Sequence, residues 1–145
     1  MIDLNNHTTL NIALSQLENI AKSLTQQTIE LIIVDAIEMQ SLNYEHRSQD
    51  KSTDVLSFPL VQASDMMQIP SMPLGSIIIC EDAVLTVSKA LGHSIQEEFS
   101  LLFIHGLLHL LGFDHETDHG EMREKEASLI MQFGLPESLI IRTQH

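Results

Sequence analysis

The chain has 145 residues, 43% of them hydrophobic, which is enough for one domain with an ordinary core. Its 20 acidic and 7 basic residues give a formal net charge of -13, which on average repels a nucleic-acid backbone. A nucleic-acid substrate would therefore need a local basic patch, a metal ion or a cationic partner, although an acidic balance can also serve solubility alone.

The composition also indicates the cellular compartment in which the protein is expected. A single cysteine, Cys80, excludes an internal disulfide, and the amino-terminal residues lack the basic start and apolar stretch of a signal peptide. The most apolar stretch, residues 99–113, is interrupted by His105, Gly106 and His109, so it falls short of the roughly 20 residues of a membrane span. These features predict a soluble protein of the cytoplasm.

The first half of the chain predicts one helix and two strands. Apolar residues three and four apart favour an amphipathic helix over residues 8–24. A β-branched apolar run at 28–34 predicts a buried strand, followed by a short helix or turn at 36–42. A second strand is expected at 54–58, before Pro59, and residues 61–73 are expected to form a hairpin arm or exposed loop.

The second half predicts a third buried strand at 74–80 and a helix at 81–91 that Gly92 ends. Ser94 and Glu97 form a capping-box pattern before a long, nearly all-apolar and therefore central helix over 95–112. Asp118 is expected to cap a last helix over 119–133. Because crossover helices do not regularly separate the strands, we predict an α+β fold, a small mixed β-sheet with helices packed on it, in a single domain of residues 1–145.

Three histidines, His105, His109 and His115, follow one another at intervals of four and six residues. Side chains four apart are neighbours on one helix face, and Gly112 can take the left-handed conformation that ends the helix before His115. Three neutral ligands leave one coordination position open, as in catalytic zinc sites. The spacing predicts one divalent metal ion, preferably Zn²⁺ but with Ni²⁺ or another transition metal also suited to imidazole, held by the central helix and the loop after it.

The alternative for these histidines is a chance meeting of core residues, which would bury their ring nitrogens at a cost unless something bonds them. The metzincin proteases share the spacing H-E-x-x-H-x-x-G-x-x-H, but Gly106 stands where their glutamate base would be. This difference favours a phosphodiester substrate over a peptide. Asp114 and Glu116 remain candidate bases.

Two blocks of sequence resemble the YbeY family of bacterial endoribonucleases and rRNA maturation factors. They are HGLLHLLGFDH at 105–115 and LNYEHRSQDKSTDVLSFP at 42–59, with LGSIIIC between them, and the resemblance covers about residues 38–134. It implies an α+β fold, a zinc-type metal held by the three histidines, and single-strand endoribonuclease activity in 16S rRNA processing and ribosome quality control.

Arg47 falls on the arginine of this family. A planar guanidinium beside the metal could hold a phosphate by two hydrogen bonds and stabilise its extra charge during reaction. The alternative is a buried ion pair with Asp50 or Asp54. Asp114 is expected to orient a ligand histidine or the loop rather than to act as the base.

The chain also departs from the family pattern. His46 and Phe113 replace tyrosines, and Ser76 replaces an aspartate, so any support or proton transfer by that aspartate would need another carboxylate. Cys80 is expected to be a packing residue. Of the remaining histidines, we expect three at the surface and one at a helix start: His7, His93 and His145 at the surface, and His119 at the helix start.

The favoured function is a single-strand-specific, metal-dependent endoribonuclease that acts on rRNA, with basic proteins of the small ribosomal subunit as partners that suit a net charge of -13. Two alternatives stay open. One is a metalloprotease-like hydrolase, and the other is a ribosome-assembly binding module whose metal is structural.

Overall fold

The computed structural model describes residues 1–60, 72–114 and 116–136. Most of the predicted loop at 61–73, together with His115 and His145, lies outside these ranges. The helices and strands of the described part are, in chain order, β1 (Ile2–Asn6), α1 (Leu14–Leu24), β2 (Ile29–Val34), α2 (Ala36–Arg47), β3 (Val55–Pro59), β4 (Gly75–Cys80), α3 (Glu81–Leu91), α4 (Ile95–Leu110) and α5 (Glu121–Gln132).

The strands form one mixed sheet in the order β1-β2-β4-β3. β1, β2 and β4 are parallel, whereas β3 pairs antiparallel with β4 and lies at the edge. Pro59 ends β3, as expected of a residue that lacks an N–H and is tolerated on an edge strand. The predicted α+β fold with a small mixed sheet is confirmed.

The strand β1 was not predicted. In β1 Ile2 is buried and most of the other residues are exposed. A short segment of mostly polar residues lacks the regular apolar alternation that predicts a strand. Its pairing with β2, from Ile2 opposite Ile29 to Asn6 opposite Ile33, makes β1–α1–β2 a parallel crossover unit. The sheet therefore contains a crossover that the sequence pattern did not indicate.

Several predicted boundaries are shifted by local hydrogen bonds. α1 begins at Leu14 instead of residue 8, because the Asn6 side chain accepts from the Thr8 N–H at 2.9 Å and donates to the Leu10 carbonyl at 2.7 Å, which holds a turn there. α2 extends beyond 42 to Arg47 and is capped by Asp35. The expected capping box before α4 is present, with Ser94 and Glu97 bonding each other's backbone N–H.

The last helix begins at Glu121, two residues later than predicted. Gly120 adopts a φ of 105° immediately before it, a conformation that a side chain rarely permits. Asp118 nevertheless has the predicted capping role, because its carboxylate accepts from the N–H of Gly120 and of Met122, both at 2.9 Å.

α4 is the central helix, as predicted, and is buried along nearly its whole length between the sheet and the other helices. A smaller core on the opposite face of the sheet lies under α2 and is formed by Val34, Met39, Leu56, Ile78 and Cys80. Cys80 is 1% exposed and is a packing residue, as expected. No helix in the described ranges combines the length and apolarity needed to span a membrane.

The prediction that His93 lies at the surface is wrong. Gly92 ends α3 with a φ of 75° and turns the chain, so the His93 side chain is only 5% exposed. Its Nε2 lies 2.7 Å from Oε1 of Glu98, which is fully buried in the first turn of α4. His7, which contacts Glu38, is exposed, as expected. His119, expected at the start of the last helix, is exposed and precedes that helix by two residues, because α5 begins at Glu121.

Candidate metal centre

α4 brings two of the predicted ligands together. The Nε2 atoms of His105 and His109 lie 3.2 Å apart, with ring centroids at 4.7 Å and ring planes at 77°. This convergence follows from their spacing, since residues four apart project from the same face of adjacent helical turns. The third predicted ligand, His115, lies outside the described residues. Among the residues that the structure describes, no group of three or more His, Cys, Asp or Glu side chains is placed to hold a metal ion.

The turn after α4 has the predicted geometry. Gly112 adopts a φ of 99°, and its N–H donates to the His109 carbonyl at 3.0 Å. The N–H of Phe113 donates to the Leu108 carbonyl, also at 3.0 Å, which completes a Schellman motif. The Asp114 carboxylate accepts from the N–H of Glu116 at 3.1 Å, in keeping with its expected role in ordering the loop. The helix thus ends within one turn of His109.

A buried carboxylate contacts His105 from α5. Oε1 of Glu126 lies 2.9 Å from Nδ1 of His105, and Glu126 is only 2% exposed. This residue was not predicted from the sequence, although a signal was present. Glu126 comes four residues after Met122 and four before Ile130, so a charged residue occupies the stripe that the helix buries.

Gly106 lies against the sheet at a point where there is no room for a side chain. A Cβ atom at this position would lie 2.8 Å from Cγ2 of Ile77 in β4 and 3.1 Å from Oγ of Ser57 in β3. Glycine between the two histidines therefore permits close packing of α4 on the sheet. The glutamate that metzincins carry here would collide with β4, so its absence has a structural cause.

A pocket of about 660 Å³ opens beside the histidine pair, within the range of roughly 300–1,000 Å³ usual for ligand sites. Its walls come from the end of α2, from the segment that includes β3, and from the end of α4 with the following loop. The polar and charged residues that line it are Arg47, Thr53, Asp54, Ser57, His105, His109, Asp114 and Glu116.

Arg47 is the last residue of α2 and lies on the pocket wall with His105 and His109. It is exposed, which excludes the alternative of a buried ion pair with Asp50 or Asp54. Asp50 instead accepts a hydrogen bond from the Gln40 side chain at 3.0 Å. Three carboxylates line the same pocket with this one guanidinium, so a polyanion would be repelled there without a bound cation.

Ser76 lies on the face of the sheet opposite α4. Its neighbour Ile77 packs in the core with α4, whereas Ser76 donates a hydrogen bond to Oε1 of Glu30 in β2 at 2.6 Å. Among the described residues, Ser76 does not line the pocket. The serine at position 76 therefore does not deprive the histidine site of a carboxylate. On the face of the sheet where Ser76 lies, Glu30 supplies a carboxylate.

The sequence model described as Endoribonuclease YbeY matches residues 2–134 of the chain. The chain belongs to the YbeY family. The match begins with the first residue of β1, so family membership extends beyond the stretch of about 38–134 that carries the resemblance.

Curated relatives agree over nearly the full length. A protein of Sulfurimonas denitrificans named Endoribonuclease YbeY is 54% identical over 144 residues, covering 99% of both chains. One of Campylobacter jejuni with the same name is 58% identical over 127 residues, covering 88% of this chain and 90% of that protein. A solution structure from Thermotoga maritima has a TM-score of 0.63 and 28% identity, and the match covers 92% of this chain and 89% of that one. The YbeY fold described above is thus shared with a solved structure.

Proposed function

We propose that this YbeY-family chain is a single-strand-specific, metal-dependent endoribonuclease that acts in 16S rRNA maturation and ribosome quality control. His105, His109 and His115 are its proposed ligands for one divalent ion, Zn²⁺ by preference and Ni²⁺ as the alternative. The observation that supports the proposal most is the meeting of the Nε2 atoms of His105 and His109 at 3.2 Å on the wall of a pocket. Relatives named Endoribonuclease YbeY supply the reaction class.

The described residues fit such an ion. Two imidazole nitrogens that face each other at this distance are of the donor type that zinc and nickel accept, and nearby carboxylates favour a cation. When bound, the ion would supply Lewis-acid stabilisation of the charge on a phosphodiester. The protein's part is to keep the two rings converged and to hold the substrate beside them.

Arg47 is proposed to bind the substrate. Its exposed position on the pocket wall leaves the guanidinium accessible to a phosphate, which it can hold by two hydrogen bonds. A donor of this kind also stabilises charge that develops on phosphate oxygens during the reaction. Asp54, Asp114 and Glu116 line the same pocket and are the candidate proton acceptors.

The concave shape of the site supports the proposed preference for a single strand. A phosphodiester has to enter the pocket to approach the histidine pair, and a flexible strand does this with less distortion than a stacked duplex. Because the net charge of -13 repels RNA at long range, we propose that basic proteins of the small ribosomal subunit bring enzyme and rRNA together in the cytoplasm.

The test compares wild type with His109→Ala on single- and double-stranded RNA of the same sequence. His7→Ala, prepared identically, is the matched control, because His7 is exposed and does not line the pocket. We expect wild type and His7→Ala to bind one metal ion and to cleave the single strand, and His109→Ala to lose most of both. Equal cleavage by His109→Ala would show that the activity arises elsewhere or from a contaminant.

The packing of Gly106 argues against the metalloprotease alternative. The glutamate that serves as base in proteases with this histidine spacing has no room at this position. Turnover of an unfolded protein substrate that a chelator abolishes would restore this alternative.

A further inference from the structure

Glu126 has an ionisable side chain that is buried in the protein interior, where a charge is unfavourable. It is 2% exposed, and removing a carboxylate from water is unfavourable unless hydrogen-bond donors replace the water. Among the described residues, the group that lies beside it is Nδ1 of His105, 2.9 Å from Oε1. The contact therefore belongs to the histidine pair and is not part of the general surface charge.

A carboxylate in its ionised form only accepts hydrogen bonds, so in this contact it would pair with a His105 ring that carries the proton on Nδ1. The lone pair of the neutral ring is then on Nε2, the atom that lies 3.2 Å from Nε2 of His109. We propose that Glu126 is a positioning residue that holds His105 in this tautomer and ring orientation, and thereby prepares Nε2 for a metal ion. The consequence for metal binding rests on the proposed function, whereas the tautomer does not.

The position of Glu126 is set by helix packing. Met122, Leu129 and Ile130 of α5 are buried in the same core as α4, and Asp118 bonds the N–H groups at the start of α5. The carboxylate is thus presented from a packed helix rather than from a mobile loop. In this arrangement α5 supports the site through Glu126, which contacts the proposed ligand His105 and is not a ligand itself.

The same helix α4 provides a matched comparison. His93 and Glu98 form a second buried pair, with Nε2 and Oε1 at 2.7 Å and side chains 5% and 0% exposed. Glu98 precedes His105 by about two helical turns, and neither member of the pair lines the pocket. If buried pairs of this kind only stabilise the fold, then neutralising Glu98 and neutralising Glu126 should have the same consequences.

The first measurement is the ring tautomer of His105 in metal-free protein, read from nitrogen chemical shifts by NMR at a pH of about 8, above the reference pKa of free imidazole. We expect a proton on Nδ1 in wild type and in Glu98→Gln. In Glu126→Ala this preference should be lost, and in Glu126→Gln it should weaken, because an amide can donate as well as accept.

The second measurement is Zn²⁺ affinity, by competition with a chromophoric chelator. Loss of a residue that orients a ligand histidine typically weakens metal binding about ten- to a hundredfold, and we expect this for Glu126→Ala. Glu126→Gln should lose less, and Glu98→Gln should bind Zn²⁺ as wild type does, although it unfolds at a lower temperature.

The proposal is overturned if folded Glu126→Gln and Glu126→Ala keep both the wild-type tautomer and the wild-type affinity. It is also overturned if Glu98→Gln weakens Zn²⁺ binding as much as they do, since the effect would then be one of global stability. Should Glu126→Ala not fold, Glu126→Gln decides, because it preserves the shape of the side chain. If wild type binds no metal, the proposed function fails, and the NMR measurement still decides the role of Glu126.

Discussion

The hydroxyl of Ser57 donates a hydrogen bond of 3.1 Å to the backbone carbonyl of Gly106. Ser57 lies in the edge strand β3, and Gly106 lies on α4 between the two histidines. Since β3 and the end of α4 form two walls of the same pocket, this bond holds those walls together. It depends on the missing side chain at position 106, which lets the strand approach the helix backbone.

Replacing Ser57 with alanine should remove this link. We expect a loss of about 1 kcal/mol in the free energy of unfolding, measured with urea, because the bond is a single neutral one. RNA cleavage should fall as well, since the pocket walls are no longer joined. Ser100→Ala is the control, because Ser100 bonds the Gln96 carbonyl at 2.8 Å on the same helix, away from the pocket. Equal cleavage by both variants would contradict a role for Ser57 in the site.

Replacing Gly106 with alanine should destabilise the protein. In an ordinary helix this change is favourable by up to about 1 kcal/mol. Here the added Cβ would lie 2.8 Å from Cγ2 of Ile77, and relief of such crowding in a packed core costs roughly 1–3 kcal/mol. Thermal and urea unfolding would measure the net effect. A more stable Gly106→Ala protein would show that α4 can move away from β4 without cost.

Arg47 should affect catalysis and not folding. Because Arg47 is exposed, Arg47→Ala should leave the unfolding temperature and the metal content unchanged. We expect kcat/KM for single-stranded RNA to fall on the order of a hundredfold, and Arg47→Lys to recover only part of it, since an ammonium cannot bind a phosphate by two parallel hydrogen bonds. Lys51→Ala, a change at a nearby exposed cation that does not line the pocket, controls for general loss of positive charge.

Removal of metal by a chelator should abolish RNA cleavage and leave the fold intact. The main core joins the sheet to α4 through buried apolar side chains, whose packing does not depend on a bound ion. We expect the circular dichroism spectrum to persist. The free energy of unfolding should fall only by the amount that binding of the ion had contributed, and the unfolding temperature should fall accordingly. Cooperative unfolding on chelation would instead support the alternative in which the metal is structural.

Local sequence was sufficient for the parts of the site that depend on neighbours along the chain. The pairing of His105 with His109, the capping box of Ser94 and Glu97, and the turn at Gly112 all arise from spacings of three to five residues, where helix geometry alone determines which groups meet. The buried strands β2 and β4 were recognisable for the same reason, since continuous apolar runs have a clear local signal.

Long-range packing decided the rest. Glu126 is 21 residues from His105, and it contacts this ring only because α5 packs on α4. β1 is a strand because it pairs with β2. The inward position of His93 depends on its buried partner, Glu98. Sequence by itself thus determined the α+β class, the central helix and the converging histidines. The orientation of those histidines and the need for glycine at 106 were decided by tertiary structure, because burial and the distance between elements come from how the chain packs.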